Sequence, residues 1–279
     1  ICVPADAESA VLAAPFLRRV EELEVPAIIF INRIDSAQHR IAEIVAALQA
    51  YSRHHIVLRE VPIRDGGTIT GFVDLVSERA WKFEEGKHSA LIEMPDSVKD
   101  REAAARTELL ESYADLDDHL MEELIEDRQP LAEEVYAVAA RALRDNAVIE
   151  CFIGSASKGH GLTRLMKALR HDAPGVEQTR SRFGAGTLAV GALADQLKHL
   201  GKTVLVRALD GSVGGGARLG GADLGSITDL DAKTPLGQLA AGQIGLAVKS
   251  DHLSAGQAFS RDTAERLTGG GAAPPFRRI

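Results

Sequence analysis

The hydrophobic pattern of the chain begins with short apolar runs that alternate with amphipathic segments. Residues 1–4 and 28–31 are predicted to be strands, because four apolar residues in a row are typical of a parallel strand covered on both faces. Segments from about Ser9 to Glu24 and from about Ala37 to Ala50 place apolar residues at helical spacing with charges on the opposite face. Pro15 predicts a kink or an early turn in the first of these helices. The order strand, helix, strand, helix indicates a parallel sheet.

The pattern changes after residue 51. Residues 55–58 form a short apolar run, and residues 68–83 alternate between glycine-rich turns, which predicts a hairpin or small antiparallel sheet. Two long polar helices are expected, over about 96–127 and 131–145. Together residues 52–146 are interpreted as an α+β insert.

The strand and helix pattern then returns, and a β-rich segment follows it. Residues 147–153 predict another buried strand, which runs into a Gly-Ser-Ala-Ser loop and a helix. Residues 174–184 are interpreted as a linker. Evenly spaced short strands across 185–266 favour a small β-barrel. Residues 267–279, rich in glycine and proline, are interpreted as a second linker.

The predicted fold class is therefore α/β plus β. The α/β domain comprises residues 1–51 and 147–173, the insert interrupts it, and the β-barrel is the second domain. The chain starts at Ile1, without Met and within an apolar strand-like run. We therefore expect a piece of a longer protein, with a third domain beyond the second linker.

Composition narrows the function. With 279 residues, 45% hydrophobic, 26% charged and a net charge of −8, the chain is not a general binder of polyanions. Aromatic residues make up 4%, too few for base-stacking platforms. Cys2 and Cys151 predict no disulfide framework and favour a reduced, cytoplasmic setting. The sequence shows neither an apolar run of the ~20 residues that a membrane span requires nor a signal peptide.

Candidate chemistry lies where the predicted strands end. Asn32 and Asp35 follow the strand at 28–31, at the edge where αβ sheets bind ligands, and an amide and a carboxylate three residues apart suit one planar base. The alternative is that either residue caps a helix.

A second loop, Ser155-Ala156-Ser157, follows the strand at 147–153. Its small side chains would let backbone N–H groups approach a base closely. The alternative is a tight turn with Ser155 as the helix cap.

With both loops in place, the chain resembles the translational GTPases, in particular the elongation factor G family. The resemblance covers nearly the whole chain in order. Its motifs are Phe30 to Asp35 for the family's Asn-Lys-x-Asp loop, Gly71 to Val76 and Leu120 to Glu123 in the insert, Cys151 to Gly159 for its Ser-Ala loop, and Leu239 to Leu246 in the barrel.

The resemblance implies binding of GTP or GDP with Mg²⁺, GTP hydrolysis on the ribosome, and coupling of hydrolysis to translocation. Asn32 and Asp35 would select guanine, Arg33 would stack on it, and Ser155, Ala156 and Ser157 would complete the guanine site. The implied partners are ribosomal RNA and ribosomal proteins. The chain would be a cytoplasmic monomer that does not bind a membrane.

The sequence departs from the family in three respects. Arg33 stands where the family has Lys, although an Arg can also stack on a purine. The chain contains no Gly-x-x-x-x-Gly-Lys-Ser/Thr phosphate loop, and no Asp-x-x-Gly switch segment with its water-positioning His. Without these groups we expect no catalytic residue, no metal site, no tight nucleotide binding and no GTP turnover in this chain alone. The alternative function is a non-catalytic module that binds the ribosome with little nucleotide affinity.

Overall fold

The computed structural model describes residues 1–37, 39–184, 186–211 and 213–267. The chain forms two compact units, Ile1–Ala173 and Pro174–Ile279. No helix in the described part is both long and apolar enough to cross a membrane. The second predicted linker, residues 267–279, lies outside the described residues apart from Leu267.

The first unit contains helices, a parallel sheet and an antiparallel sheet. In chain order its elements are β1 (Cys2–Pro4), α1 (Ala14–Glu22), β2 (Ile28–Asn32), α2 (Ile41–Gln49), β3 (His55–Leu58), β4 (Glu60–Asp65), β5 (Thr68–Asp74), β6 (Arg79–Lys82), β7 (Ala90–Ile92), α3 (Asp96–Ala114), α4 (Asp118–Ile125), α5 (Ala132–Arg144), β8 (Val148–Ile153) and α6 (Leu162–His171). Short 3₁₀ helices cover Glu8–Ala13, Ile34–Ser36 and Ala156–Lys158.

The predicted parallel sheet is confirmed, in the order β1-β2-β8-β3. All three pairings are parallel, and β2 meets β8 with Ile29 opposite Cys151. Ile29, Ile31 and Ile149 are fully buried, as expected for strands covered on both faces. The first helix differs from the prediction at its start. Pro15 lies in the first turn of α1, where a missing N–H costs nothing, so it begins the α-helix and does not kink it.

The segment interpreted as an insert begins later than predicted. β3 pairs in parallel with β8, so the 55–58 strand is part of the main sheet and not of the insert. Its apolar residues Ile56 and Val57 are buried, which a strand inside a covered sheet requires. The antiparallel sheet β4-β5-β6-β7 follows it and contains the predicted hairpin.

The predicted helix over 96–127 is two helices. α3 ends at Ala114, and Asp117 caps α4 by accepting a hydrogen bond from the Leu120 N–H at 2.9 Å. An Asp in this role satisfies an N–H that would otherwise have no partner at the helix start, so it ends one helix and begins the next.

A buried charged cluster joins the two sheets of the first unit. The Arg59 guanidinium forms an ion pair with Glu150 of β8, and both side chains are fully buried. The Tyr113 hydroxyl donates to Glu150 Oε1 at 3.0 Å. Arg164 of α6 pairs at 2.5 Å with Asp74 of β5. Arg59 and Arg164 both lie 5.5 Å from the centre of the Phe152 ring, so each arginine adds a cation–π contact.

The second unit is mainly antiparallel. A helix, α7, covers Val176–Phe183, so the linker predicted over 174–184 is largely helical. The strands are β9 (Ala189–Leu197), β10 (Gly201–Ala208), β11 (Val213–Gly214), β12 (Arg218–Leu219), β13 (Ala222–Asp223), β14 (Ser226–Thr228), β15 (Pro235–Leu236), β16 (Gln238–Leu239), β17 (Ile244–Val248), β18 (Gln257–Phe259) and β19 (Ala264–Arg266).

Seven of these strands form one sheet, in the order β15-β14-β17-β10-β9-β18-β19. Two-stranded pairs, β11 with β16 and β12 with β13, accompany it. Val206, Leu253 and Phe259 are fully buried in its core. The pairings of the described strands leave β15 and β19 at the two ends of the order, so closure into a barrel stays a prediction.

The buried ion pair predicts a large effect of substitution. Arg59→Ala should lower the free energy of unfolding by about 3–5 kcal/mol, because Glu150 is left charged and without its partner in the interior. Urea unfolding followed by circular dichroism measures this. The control is Arg53→Ala, whose side chain is 93% exposed and 4.0 Å from Glu21. Its loss should cost less than about 1 kcal/mol. Equal effects of the two substitutions would show that the buried pair does not hold the sheets together.

Candidate functional site

The two loops singled out in the sequence begin side by side. β2 and β8 are parallel neighbours, and Ile31 lies opposite Ile153 at their carboxyl ends. Two backbone hydrogen bonds continue the pairing past the strands: Gly154 N–H donates to the Ile31 carbonyl at 2.9 Å, and Ile34 N–H donates to the Gly154 carbonyl at 3.1 Å. The loop Asn32–Asp35 and the loop Ser155–Ser157 therefore form one edge of the sheet.

The Asn32 side chain joins the loops directly. Its Oδ1 accepts a hydrogen bond from the Ala156 N–H at 2.8 Å and another from its own neighbour, Arg33 N–H, at 2.9 Å. The residues that make the first of these bonds are 124 positions apart in sequence. With the carbonyl oxygen engaged in this way, the amide nitrogen of Asn32 is the group that could donate to a ligand.

Asp35 faces the second loop as well. Its carboxylate lies 3.2 Å from the Lys158 ammonium, and its side chain keeps a quarter of its surface exposed (25%). A hydrogen bond from the Ser155 side chain lowers the pKa of Asp35, and the Lys158 ammonium lowers it further. Asp35 is therefore a carboxylate at neutral pH and an acceptor for paired N–H donors.

Arg33 adopts a left-handed backbone conformation, with φ 63° and ψ 36°. Its carbonyl accepts hydrogen bonds from the Ser36 N–H and the Ser36 hydroxyl, both at 3.0 Å. Both groups of Ser36 thus stabilise the turn through the same carbonyl. The Arg33 side chain is exposed at the edge of the loop.

The loop after β8 is built around Ser155. This residue is fully buried. It exchanges backbone hydrogen bonds with His160, both at 3.0 Å, so the loop returns on itself. Ala156 and Ser157 occupy the exposed crest of the loop between them. The Ser155 hydroxyl lies 3.3 Å from that of Ser157.

The capping alternatives describe these residues only in part. α2 takes Arg40 as its N-cap, so Asp35 does not begin that helix. Ser155 occupies the N-cap position of the 3₁₀ turn at Ala156–Lys158, although its side chain makes no capping hydrogen bond. Asn32 Oδ1 accepts hydrogen bonds from Ala156 N–H across the sheet edge and from the neighbouring Arg33 N–H.

Sequence analysis missed three contributors to the site. Lys158 pairs with Asp35, and only its place after the Ser-Ala loop hinted at this. Gly161 has φ +76°, and a Cβ there would lie 2.3 Å from the Ile153 carbonyl oxygen. The Gly-His-Gly segment could therefore have predicted a tight turn at this point of the sequence. The third contributor is the contact between His160 and Phe83, whose rings stack 4.3 Å apart with an angle of 3°. Burial lowers the pKa of His160, and the Lys158 charge lowers it further.

A buried carboxyl group supports the strand that precedes the loop. Glu60 of β4 is fully buried, and its Oε2 accepts the Ile153 N–H at 2.8 Å. Burial raises the pKa of Glu60 from 4.5 to about 8, although the hydrogen bond from Ile153 opposes this. The end of β8 therefore depends on a group whose protonated form is favoured by the fold.

Comparison with known proteins places these loops in context. No family model matches the chain. An elongation factor G-like protein of Synechocystis is 27% identical over 267 residues, which is 93% of this chain and 40% of that protein. Elongation factor G of Thermotoga neapolitana is 27% identical over 154 residues, which is 54% of this chain and 22% of that protein. The chain is similar in sequence to elongation factor G.

The structural comparison agrees at the level of fold. A crystal structure of a protein from Thermus thermophilus matches 93% of this chain with a TM-score of 0.73 and 19% sequence identity, and the match covers 39% of that protein. The chain thus spans at most 40% of the length of these relatives and of that structure.

Close packing at Gly154 predicts that substitution of this residue lowers the stability of the chain. An added Cβ would lie 2.4 Å from the His160 carbonyl oxygen and 2.5 Å from the Phe30 ring. Gly154→Ala should therefore lower the free energy of unfolding by about 1–3 kcal/mol, as overpacking does. Gly67→Ala is the matched control, because nothing lies within 4 Å of its Cβ position. Chemical denaturation measures both, and a neutral Gly154→Ala would contradict the tight apposition of the loops.

The raised pKa of Glu60 predicts a pH dependence of stability. Between pH 4.5, the ordinary pKa, and about 8, the folded state holds a proton that the unfolded state has released. Stability from this group is therefore complete below that window and is lost as the pH rises through it. Glu60→Gln keeps an acceptor for Ile153 N–H. Between pH 5 and pH 8, the melting temperature of this variant should fall less than that of the parent chain. Glu108→Gln, an exposed change on α3, should keep the parent's slope. Identical slopes in all three proteins would refute the role of Glu60.

Proposed function

We propose that the loops Asn32–Asp35 and Ser155–Ser157 form the guanine-recognition part of a GTP/GDP site, within a translational GTPase of the elongation factor G type. The observation that carries the proposal is the hydrogen bond from Ala156 N–H to Asn32 Oδ1 at 2.8 Å. It holds both loops at the carboxyl edge of one parallel sheet, where αβ folds bind nucleotides.

The chemistry of the site complements guanine. Guanine presents two adjacent donors, N1–H and the exocyclic N2–H, next to the acceptor O6. The Asp35 carboxylate can accept both donors, and the exposed loop that contains Ala156 and Ser157 can offer backbone N–H groups to O6. Adenine carries an acceptor at N1 and a donor at position 6, so the same groups would oppose it.

Arg33 takes the position of the stacking residue. Its side chain is exposed beside the loop, and a guanidinium plane can lie against a purine face. Lys158 competes for Asp35 in the structure, at 3.2 Å, and would have to release the carboxylate or share it with the base.

The relatives suggest the wider role. Because the homologues are named elongation factor G, we propose that the protein acts in translation on the ribosome, contacts ribosomal RNA and proteins, and hydrolyses GTP with Mg²⁺ when a phosphate-binding segment accompanies this chain. The partners and the cytoplasmic location are part of this proposal. The chain supplies base selection, and the sequence contains none of the phosphate-gripping motif.

A second candidate is a ribosome-binding module with little nucleotide affinity. The observation that favours it is that both key groups are already engaged within the protein, Asn32 with Ala156 and Asp35 with Lys158. In that case the loops would be a structural junction.

Nucleotide titration separates these functions. Amide chemical shifts of the ¹⁵N-labelled chain are followed during addition of GDP or ADP, which detects weak binding without a phosphate loop. We expect GDP, and not ADP, to shift the signals of Asn32, Asp35 and Ala156. Asp35→Asn should weaken the affinity for GDP by roughly tenfold or more, because it replaces the charged group that would accept two hydrogen bonds from the base. Asp65→Asn, an exposed change at the last residue of β4, is the control.

The outcomes discriminate clearly. Equal shifts with GDP and ADP, no shifts with either, or an unchanged GDP response in Asp35→Asn would refute guanine recognition and favour the ribosome-binding module.

A further inference from the structure

The helical part of the first unit gathers three metal-ligating side chains. His119 and Glu123 lie one turn apart on α4, and Glu134 lies in the first turn of α5. One ligand atom from each of the three residues falls within 4.8 Å of the others. None of the three belongs to the guanine loops, so what they bind is independent of the proposed function.

Glu123 supplies the second observation. Its Oε2 is shielded from solvent and has no hydrogen-bond partner among the described residues. A buried carboxylate oxygen without a partner is costly, and a bound cation is one of the few ways to compensate it.

Two arginine side chains of this helical region form ion pairs with other carboxylates. Arg141 pairs with Asp117, and Arg128 pairs with Glu126 at 2.6 Å. Within the described residues, neither Glu123 nor Glu134 takes part in a salt bridge. Glu134 uses Oε2 to accept the Leu131 N–H at 3.1 Å, so Oε1 is the oxygen left to bind a cation.

We propose that His119, Glu123 and Glu134 bind one Zn²⁺ ion. An imidazole with two carboxylates suits Zn²⁺, whereas Ca²⁺ takes about six to eight oxygen ligands and Mg²⁺ prefers an all-oxygen shell without imidazole. Zinc takes His and carboxylate ligands at about 2.0–2.2 Å in a tetrahedron, so water would fill the fourth position. The three ligand atoms lie within 4.8 Å of one another, and they would draw closer together around the ion.

The ion would clamp α4 to α5. The connection between these helices runs from Glu126 to Leu131 and includes Asp127 in a left-handed conformation at φ 55°. A metal held from both helices would fix this turn. The site would thus be structural, with one exchangeable water.

Cobalt substitution tests the site in the whole chain. Co²⁺ replaces Zn²⁺ in such sites and, when tetrahedral, gives strong visible absorption. We expect one equivalent of Co²⁺ to produce this spectrum and Zn²⁺ to abolish it by displacement. His119→Ala and Glu123→Gln should each weaken Zn²⁺ by about tenfold or more, since even indirect perturbation of metal ligands costs 10–100-fold. Circular dichroism verifies that both variants fold.

Matched variants identify the ligands. Glu122→Gln, on the exposed side of α4, and His199→Ala, an exposed histidine between β9 and β10, should bind Zn²⁺ as the parent does. The proposal is overturned if Co²⁺ gives no tetrahedral spectrum, if the control variants weaken Zn²⁺ as much as the ligand variants, or if millimolar Ca²⁺ displaces Co²⁺ from the parent.

Discussion

The hydrogen bond between the Asn32 side chain and the Ala156 backbone links segments from opposite ends of the first unit's sequence. It can form only because β2 and β8 are adjacent and in parallel register, so that both strands end at the same height. The strand β3, a whole antiparallel sheet and four α-helices lie between these strands in the sequence, and the register is kept nevertheless. The sheet edge is therefore the fixed frame on which the loops, and anything they bind, depend.

The interior beneath that edge is more polar than a parallel sheet requires. Glu150 sits within β8, fully buried with Arg59, and Glu60 holds the N–H of Ile153. These groups belong to β8 and to the segment where β3 passes into β4. The last residues of β8 are thus joined to the antiparallel sheet by hydrogen bonds and charge, which are directional, as well as by apolar packing. Such contacts favour one relative placement of the two sheets.

The sequence predicted best what depends on local pattern. The apolar runs identified β2 and β8, and the polar residues after them were brought together as expected, because parallel strands end at a common edge. Prediction failed where pairing between residues far apart in sequence determines the structure. Nothing local in residues 55–58 says whether the strand joins the main sheet or the insert, and its partner β8 lies about ninety residues on. The ion pair of Arg59 and the contact of Lys158 with Asp35 were invisible for the same reason.

The backbone at Arg33 restricts which residues the first loop can accept. Its φ of 63° lies in a region that L-residues rarely adopt and that β-branched side chains strongly disfavour. Val, Ile or Thr at this position would clash with their own backbone before any ligand arrived. The backbone there therefore favours side chains that are not branched at Cβ. Lys and Arg, both unbranched at Cβ, meet this backbone condition equally well.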